Sequence, residues 1–288
     1  MAVIDPALRI GSVELAVSDL PRSVDFYERV LGLPLVSSER DGAALGPDPS
    51  KPALVLTAIA QPTPVPLAST GLFHVAWLHP SRASLAATVR RVVGQRWPLE
   101  GASDHGVSEA LYLSDPDGLG IEIYADRPRE RWDRPAGGRG VNMVTLPLDL
   151  EDLLAQDVGG HAPVVPPETT VGHVHLKVSD LPRAAGFYGG AIGLEEQARL
   201  PSAAFLSAGG YHHHVALNSW QSQGADAAPD TAPGLRQMRF ELSDAGALDS
   251  LERALGEEPS AAAPARAADG SLTVRDPDGQ LLEFATDT

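Results

Sequence analysis

The sequence contains no cysteine, few aromatic residues and few basic ones. Only 5% of its 288 residues are aromatic, and 22 Lys and Arg stand against 38 Asp and Glu, for a formal charge of −16. Without cysteine there is no disulfide framework, thiolate nucleophile or thiolate metal site. No segment reaches the roughly 18 consecutive apolar residues of a membrane span, and the first residues lack the basic and apolar regions of a secretory signal. We therefore expect a soluble cytoplasmic protein.

The excess of negative charge also restricts the partners. Nucleic acids and anionic membrane surfaces repel an acidic protein, so neither is expected to bind. A hydrophobic content of 43% is ample for a packed core, and the length allows two domains of ordinary size. Acidity of this kind mostly indicates solubility.

An internal repeat organises the chain. The segment SDLPRSVDFYERVLGL (18–33) recurs as SDLPRAAGFYGGAIGL (179–194), and SDPDGLGIEIYAD (114–126) recurs as RDPDGQLLEFATD (275–287). Both pairs are separated by 161 positions. Two separate matches at one offset indicate that a whole half was duplicated.

Each half divides into two units of a strand, a helix and three strands. The first helix has Asp19 as its N-cap, Pro21 in its first turn and Gly32 after its end. In the second unit an Asp-Pro-Asp-Gly turn at 115–118 joins the last two strands. The fold class is therefore α+β with four βαβββ units. The predicted boundaries are an N-terminal pair at 1–130 (units 1–65 and 66–130), a connector at 131–168, and a C-terminal pair at 169–288 (units 169–222 and 232–288).

The stretch GHVHLKVSDL (172–181) opens the third unit. Side chains alternate along a strand, so His173, His175 and Lys177 face one way while apolar residues face the other. A histidine alone on a strand is more often structural than a metal ligand. A polar, histidine-bearing face nevertheless favours a wet, functional cavity.

These features resemble the vicinal oxygen chelate superfamily, which includes glyoxalases, bleomycin-resistance proteins and type I extradiol dioxygenases. The four βαβββ units, the SDLPRSVDFYERVLGL element and the DPDGxxxE ending carry the resemblance. The longer strings DHGVSEALYLSDPDGLGIEIYADRP (104–128) and GGYHHHVALNSW (209–220) are similar to bacterial catechol-2,3-dioxygenases. The resemblance implies that paired units form half-open barrels, with ligands at the start of each first strand and near the end of a last strand.

The resemblance also selects candidate ligands. The first-strand positions are Ser12, His74, His173 and Gln237, and the last-strand positions are Glu122 and Glu283. Pairing unit two with unit three unites His74, His173 and Glu122, whereas pairing one with four leaves a poor set in which Glu283 survives from duplication without a metal. Two imidazoles and one carboxylate are typical of non-haem Fe(II) sites, with Mn(II) as an alternative. Such a set leaves three positions for two catechol oxygens and dioxygen.

Acid–base residues follow from the same resemblance. His105 and Tyr112 match the family's order ahead of Glu122, and the histidine run on the last strand of unit three supplies a catalytic histidine. Aligning HVAL favours His213, while counting from Gly210 favours His214, and both are retained. His175 either contacts substrate or packs.

The expected function is an Fe(II)-dependent extradiol dioxygenase that opens a catechol-type diol with O2. One alternative is a glyoxalase-type metal-dependent lyase or isomerase, which a fourth ligand such as His214 would favour. The other is a metal-free, drug-sequestering protein that binds small molecules. By analogy with the family, a homo-oligomer is also expected.

Overall fold

Four units with the same order of elements make up the structure, a computed structural model that describes residues 3–137, 140–156, 162–257 and 263–286. Each unit contributes one long strand and three further strands. In chain order they are β1 (Arg9–Val17), β2 (Leu35–Ser38), β3 (Gly42–Leu45), β4 (Leu54–Ala58), β5 (Gly71–His79), β6 (Gly101–Asp104), β7 (Ser108–Ser114), β8 (Gly120–Asp126), β9 (Thr170–Lys177), β10 (Glu195–Leu200), β11 (Ala203–Ser207), β12 (Val215–Asn218), β13 (Gly234–Leu242), β14 (Ala265–Arg266), β15 (Leu272–Arg275) and β16 (Leu281–Thr286). The predicted α+β class and the βαβββ order are confirmed.

In the part of the chain that the structure describes, five α-helices connect and cover the strands. They are α1 (Leu20–Phe26), α2 (Arg82–Gly94), α3 (Leu150–Leu154), α4 (Leu181–Gly186) and α5 (Ala245–Glu257). Asp19 caps α1 as predicted, since its side chain accepts the Arg22 amide hydrogen at 3.0 Å. The repeat makes the same cap at α4, and both helices continue as π-helical turns, at Tyr27–Leu31 and Phe187–Ala191. Among the described residues, no helix is long and apolar enough to cross a membrane.

The strands form two eight-stranded sheets, each built from both halves of the chain. One has the order β14-β15-β16-β13-β1-β4-β3-β2 and the other β10-β11-β12-β9-β5-β8-β7-β6. The central contacts are antiparallel pairs of first strands, β1 with β13 and β5 with β9. The sheet order therefore confirms the pairing of unit two with unit three and of unit one with unit four. A continuous apolar core extends through both sheets.

Contacts between the repeated motifs join the units within each half. The Tyr27 hydroxyl donates to Asp115 at 3.1 Å, and the Tyr188 hydroxyl donates to Asp276 at 3.0 Å. In both halves the serine amide before the helix also donates to the second aspartate of the Asp-Pro-Asp-Gly turn. Thus the motifs join units within a half, whereas the sheets join units between halves.

The first described part of the connector, residues 132–137 and 140–146, lies against the sheet of units two and three. Trp132 and Val141 pack with Val107 and Tyr211 in a small buried cluster. Leu146 forms an isolated antiparallel bridge to Asp104 at the end of β6. The connector thereby closes one side of the cup that this sheet forms.

Candidate metal centre

Strand register brings two histidines and one glutamate together. In the second sheet β5 lies between β8 and β9, and Ala76 of β5 pairs with Glu122 on one side and His173 on the other. His74 is two residues before Ala76, so it points to the same face of the sheet. The small side chain of Ala76 leaves space among the three larger ones.

The three side chains converge closely and are buried. His74 Nε2 lies 3.1 Å and His173 Nε2 3.2 Å from Glu122 Oε2. One ligand atom from each residue lies within 4.8 Å of the others, and among the described residues no other His, Asp or Glu joins the group. Although His74 Nε2 is close to Glu122 Oε2, the contact lacks hydrogen-bond geometry, and this buried nitrogen has no other hydrogen-bond partner among the described residues. A buried, unpartnered nitrogen is costly unless something binds it, so the donor set fits a metal ion.

The protonation states suit metal binding. Burial lowers the pKa of His173 to about 4, although Glu122 opposes the shift, so this ring is neutral at pH 7. Burial alone would raise the pKa of Glu122, but His173 and His74 together hold it well below its usual range. A neutral imidazole and an ionised carboxylate are the forms that bind metals.

Glu122 also faces a cavity of about 670 Å³, large enough for a small aromatic molecule. Its walls include Phe73, Trp220 and His175, whose rings pack against one another. His175 Nε2 accepts a hydrogen bond from the Asn218 amide at 2.9 Å, and its ring packs edge-on against Phe73. The structure thus places His175 on the cavity wall, where it both packs and can contact a ligand.

His105 and Tyr112 form a hydrogen-bonded pair on another wall. His105 Nδ1 lies 2.8 Å from the Val144 carbonyl oxygen, which can only accept, so Nδ1 carries the hydrogen. In the neutral ring Nε2 then accepts the Tyr112 hydroxyl hydrogen at 2.8 Å. Burial, with the charge of Glu122, raises the pKa of Tyr112 and keeps the phenol protonated. Asp104 contributes to the turn, because it accepts the Gly106 amide hydrogen at 2.8 Å.

The histidine run lies just before β12, not on it as expected, since the strand begins at Val215. His213 lines the cavity, and its ring centroid is 4.0 Å from that of His173. His214 turns away, and its Nδ1 accepts the Ala208 amide hydrogen at 3.2 Å. Of the two alternatives, the structure places His213 beside the ligand group.

Two residues near the site were not predicted. His212 is fully buried between His213 and Asp126, with its Nε2 3.0 Å from the Asp126 carboxylate. Strand alternation could have found Asp126, because it lies four residues after Glu122 and so on the same face of β8.

The other sheet has no comparable group among the described residues. There Glu283 accepts hydrogen bonds from Gln237 and from the Arg239 guanidinium. Arg239 pairs with both Glu283 and Ser12, so it stands where Ala76 stands in the second sheet. The arginine supplies an internal cation to Glu283.

Comparisons with a family model, with a homologous sequence and with solved structures all find similar proteins. A family model described as the Glyoxalase/Bleomycin resistance protein/Dioxygenase superfamily matches residues 9–123 and 170–284. The chain is 40% identical over 238 residues to the catechol-2,3-dioxygenase of Bacillus subtilis (strain 168), covering 82% of this chain and 83% of that protein. A solved structure from Bacillus subtilis subsp. subtilis str. 168 aligns with a TM-score of 0.65 and 16% identity over 99% of this chain and 86% of that one. Glyoxalase I from Zea mays aligns with a TM-score of 0.59 and 16% identity, over 96% of this chain and 92% of that one. At 16% identity these structures support the fold alone.

Proposed function

Because this chain belongs to the glyoxalase/bleomycin resistance protein/dioxygenase superfamily, we propose that it is an extradiol dioxygenase that uses Fe(II) and O2 to open a catechol-type ring. The 40% identity to a catechol-2,3-dioxygenase over most of both chains supports this choice within the superfamily. The proposal rests mainly on one observation. The three candidate metal ligands lie beside a cavity whose walls include His105, Tyr112 and His213.

In this proposal His74, Glu122 and His173 hold the metal. Three protein ligands leave positions for both oxygens of a vicinal diol and for O2. When bound, Fe(II) would supply the electron transfer between the diol and O2 that neither partner undergoes readily alone. The protein's task is to orient the diol, exclude water and move protons.

Tyr112 and His105 are suited to receive the proton of a substrate hydroxyl. The Tyr112 hydroxyl donates to His105 Nε2, so its oxygen lone pairs are free to accept a hydrogen bond from the substrate. As the substrate O–H bond breaks, its proton passes to the tyrosine oxygen and the tyrosine proton passes to His105. Such a relay leaves the positive charge on His105.

His213 is the acid–base residue on the other side of the ligand group. Its ring lies against His173 and faces the same cavity. Phe73 and Trp220 pack edge-to-face nearby, with ring centroids 5.2 Å apart, and offer an apolar wall to the carbon ring of a diol. A diol held by its oxygens at the metal would therefore place its ring between polar and apolar walls.

Two observations favour this function over the alternatives. A lyase of the glyoxalase kind would be favoured by a fourth protein ligand, yet the described ligand group has three members and His214 faces away from it. A metal-free binding protein has no use for a buried carboxylate between two imidazoles. Cytoplasmic location, a homo-oligomer and the choice of iron over manganese remain predictions.

Anaerobic reconstitution with Fe(II), followed by catechol and air, tests the proposal. We expect a yellow ring-fission product, and with ¹⁸O₂ we expect both labelled atoms in that product. The variant His173→Ala, which removes one ligand, should bind no iron and form no product. An iron-loaded protein that leaves a panel of catechols unchanged would refute the dioxygenase and favour the lyase.

A further inference from the structure

His212 has no part in the chemistry proposed above, although it is fully buried beside the cavity. Its Nδ1 lies 2.9 Å from Nδ1 of His213, and its Nε2 lies 3.0 Å from Oδ1 of Asp126. The three side chains therefore form a hydrogen-bonded chain from the cavity wall to a carboxylate whose side chain is 26% exposed.

The donors and acceptors of this chain can be assigned from one end. An ionised carboxylate can only accept, so His212 Nε2 carries a hydrogen. In a neutral ring the other nitrogen has none, so His212 Nδ1 accepts. The hydrogen between the two rings then belongs to His213 Nδ1, and the remaining nitrogen of His213, Nε2, has a lone pair.

Asp126 is itself held in place. Its Oδ1 also accepts the Tyr211 hydroxyl hydrogen at 3.3 Å, and the Tyr211 oxygen lies 2.7 Å from the Tyr124 hydroxyl. Glu122, Tyr124 and Asp126 alternate along one face of β8, so the strand that supplies the carboxylate ligand also supplies the end of the hydrogen-bonded chain. The carboxylate at the end of the hydrogen-bonded chain therefore lies on the same strand face as Glu122.

We propose that Asp126 and His212 are positioning residues that hold His213 in the tautomer with its hydrogen on Nδ1 and a lone pair on the cavity-facing Nε2. His213 then meets a ligand as an acceptor, so it selects molecules that present an O–H or N–H at that point. The catechol hydroxyl as this donor rests on the proposed function. The tautomer itself rests on the hydrogen-bond geometry.

Asp126→Asn is the decisive variant. Its amide can donate to His212 Nε2, which permits the reversed chain in which His212 Nδ1 donates to His213 and the hydrogen of His213 moves to Nε2. With ¹⁵N-labelled histidine at about pH 8, the metal-free wild type should show the His213 hydrogen on Nδ1, and Asp126→Asn should shift it toward Nε2. The variant His213→Gln assigns the signals. A wild type with hydrogen on Nε2, or a tautomer unchanged in Asp126→Asn, would overturn the proposal.

His212→Gln provides a second, independent test. The glutamine amide can reach Asp126 but not His213, so the chain is interrupted while the carboxylate keeps a donor. We expect His213 to lose its single tautomer in this variant. A single Nδ1–H tautomer retained in His212→Gln would show that the neighbouring ring does not set it.

The functional consequence is measurable in the iron-loaded protein. Asp126→Asn should lower kcat roughly 10- to 100-fold, which is part of a typical acid–base contribution. It should also raise KM, because His213 Nε2 no longer accepts the substrate hydrogen, while bound iron changes little. The control is His214→Asn, whose amide oxygen can replace the Nδ1 acceptor that binds the Ala208 amide. An equal loss of kcat in His214→Asn would assign the effect to packing and refute the positioning role. If the wild type converts no catechol, the proposed function fails, and the tautomer measurement alone decides this inference.

Discussion

Two equivalent glutamates offer a matched test of the metal centre. Glu122 lies between two imidazoles, whereas Glu283, 161 positions later, lies between Gln237 and Arg239. Glutamate-to-glutamine substitution keeps the shape of each side chain and removes its charge. We expect Glu122→Gln to abolish metal binding and Glu283→Gln to preserve it.

The size of the effect can be estimated from linkage. A metal that binds only the folded state stabilises it by about 2.7 kcal/mol at 100 times its Kd. Unfolding entropy of about 2.1 cal/mol/K per residue gives on the order of 0.6 kcal/mol/K for 288 residues. The wild type should therefore show a rise in Tm of about 4 °C with Fe(II).

Glu283→Gln should lose stability with and without metal. It leaves the half-buried guanidinium of Arg239 without its carboxylate, which costs about 1–3 kcal/mol, but the rise in Tm with metal should remain. In Glu122→Gln that rise should disappear, whatever the substitution costs the metal-free protein. Anaerobic thermal melts with and without Fe(II) measure both quantities. A rise of about 4 °C that persists in Glu122→Gln would refute the assignment of the ligand.

Two further predictions concern the scaffold. Gly172→Ala should destabilise the fold by about 3 kcal/mol, because the added Cβ would lie 1.8 Å from the buried Tyr124 hydroxyl. At the equivalent position of the first half, the Cβ of Gly11→Ala would meet only a flexible glutamate side chain, so this control should cost less than about 1 kcal/mol. Equal losses of unfolding free energy in urea would contradict the prediction. Burial raises the pKa of Asp115 to about 6, so the contribution of this carboxyl group to stability is complete below about pH 4 and is lost as the pH rises through 6. The unfolding free energy of the wild type minus that of Asp115→Asn should therefore fall by on the order of 2–3 kcal/mol between pH 4 and 7. A difference that increases with pH would contradict the prediction.

The sequence was sufficient to predict the architecture because the repeat is exact in its spacing. One offset relates both motif pairs, so the order of elements in one half predicts that in the other. Pairing between the halves also followed, since only that pairing unites His74, His173 and Glu122. The candidate ligand positions came from the resemblance to the superfamily, and the alternation of side chains along a strand places them on one face of the sheet.

Side-chain direction outside regular strands could not be predicted in the same way. His213 and His214 precede β12, where the alternation of a strand does not apply, so counting could not decide which one faces the cavity. The contact between His212 and Asp126 depends on how the loop before β12 crosses the end of β8, which no local pattern encodes. The alternation of side chains along β8 could have predicted that Asp126 lies on the same face as Glu122. A single aspartate at the end of a strand, however, does not indicate a role in the site.

The two sheets differ in the residue that pairs with the buried glutamate, which is Ala76 in the second sheet and Arg239 in the first. In the second sheet Ala76 lies between Glu122 and His173, and its methyl group supplies no cation to the carboxylate, whose close contacts are the two imidazoles. In the first sheet the equivalent residue is Arg239, whose guanidinium contacts Glu283 directly. A buried carboxylate needs a cation in either case. The first sheet meets that need with a side chain and becomes a structural element. In the function proposed here a metal ion would meet that need in the second sheet, which would explain why the described residues of two similar halves form a single candidate metal centre.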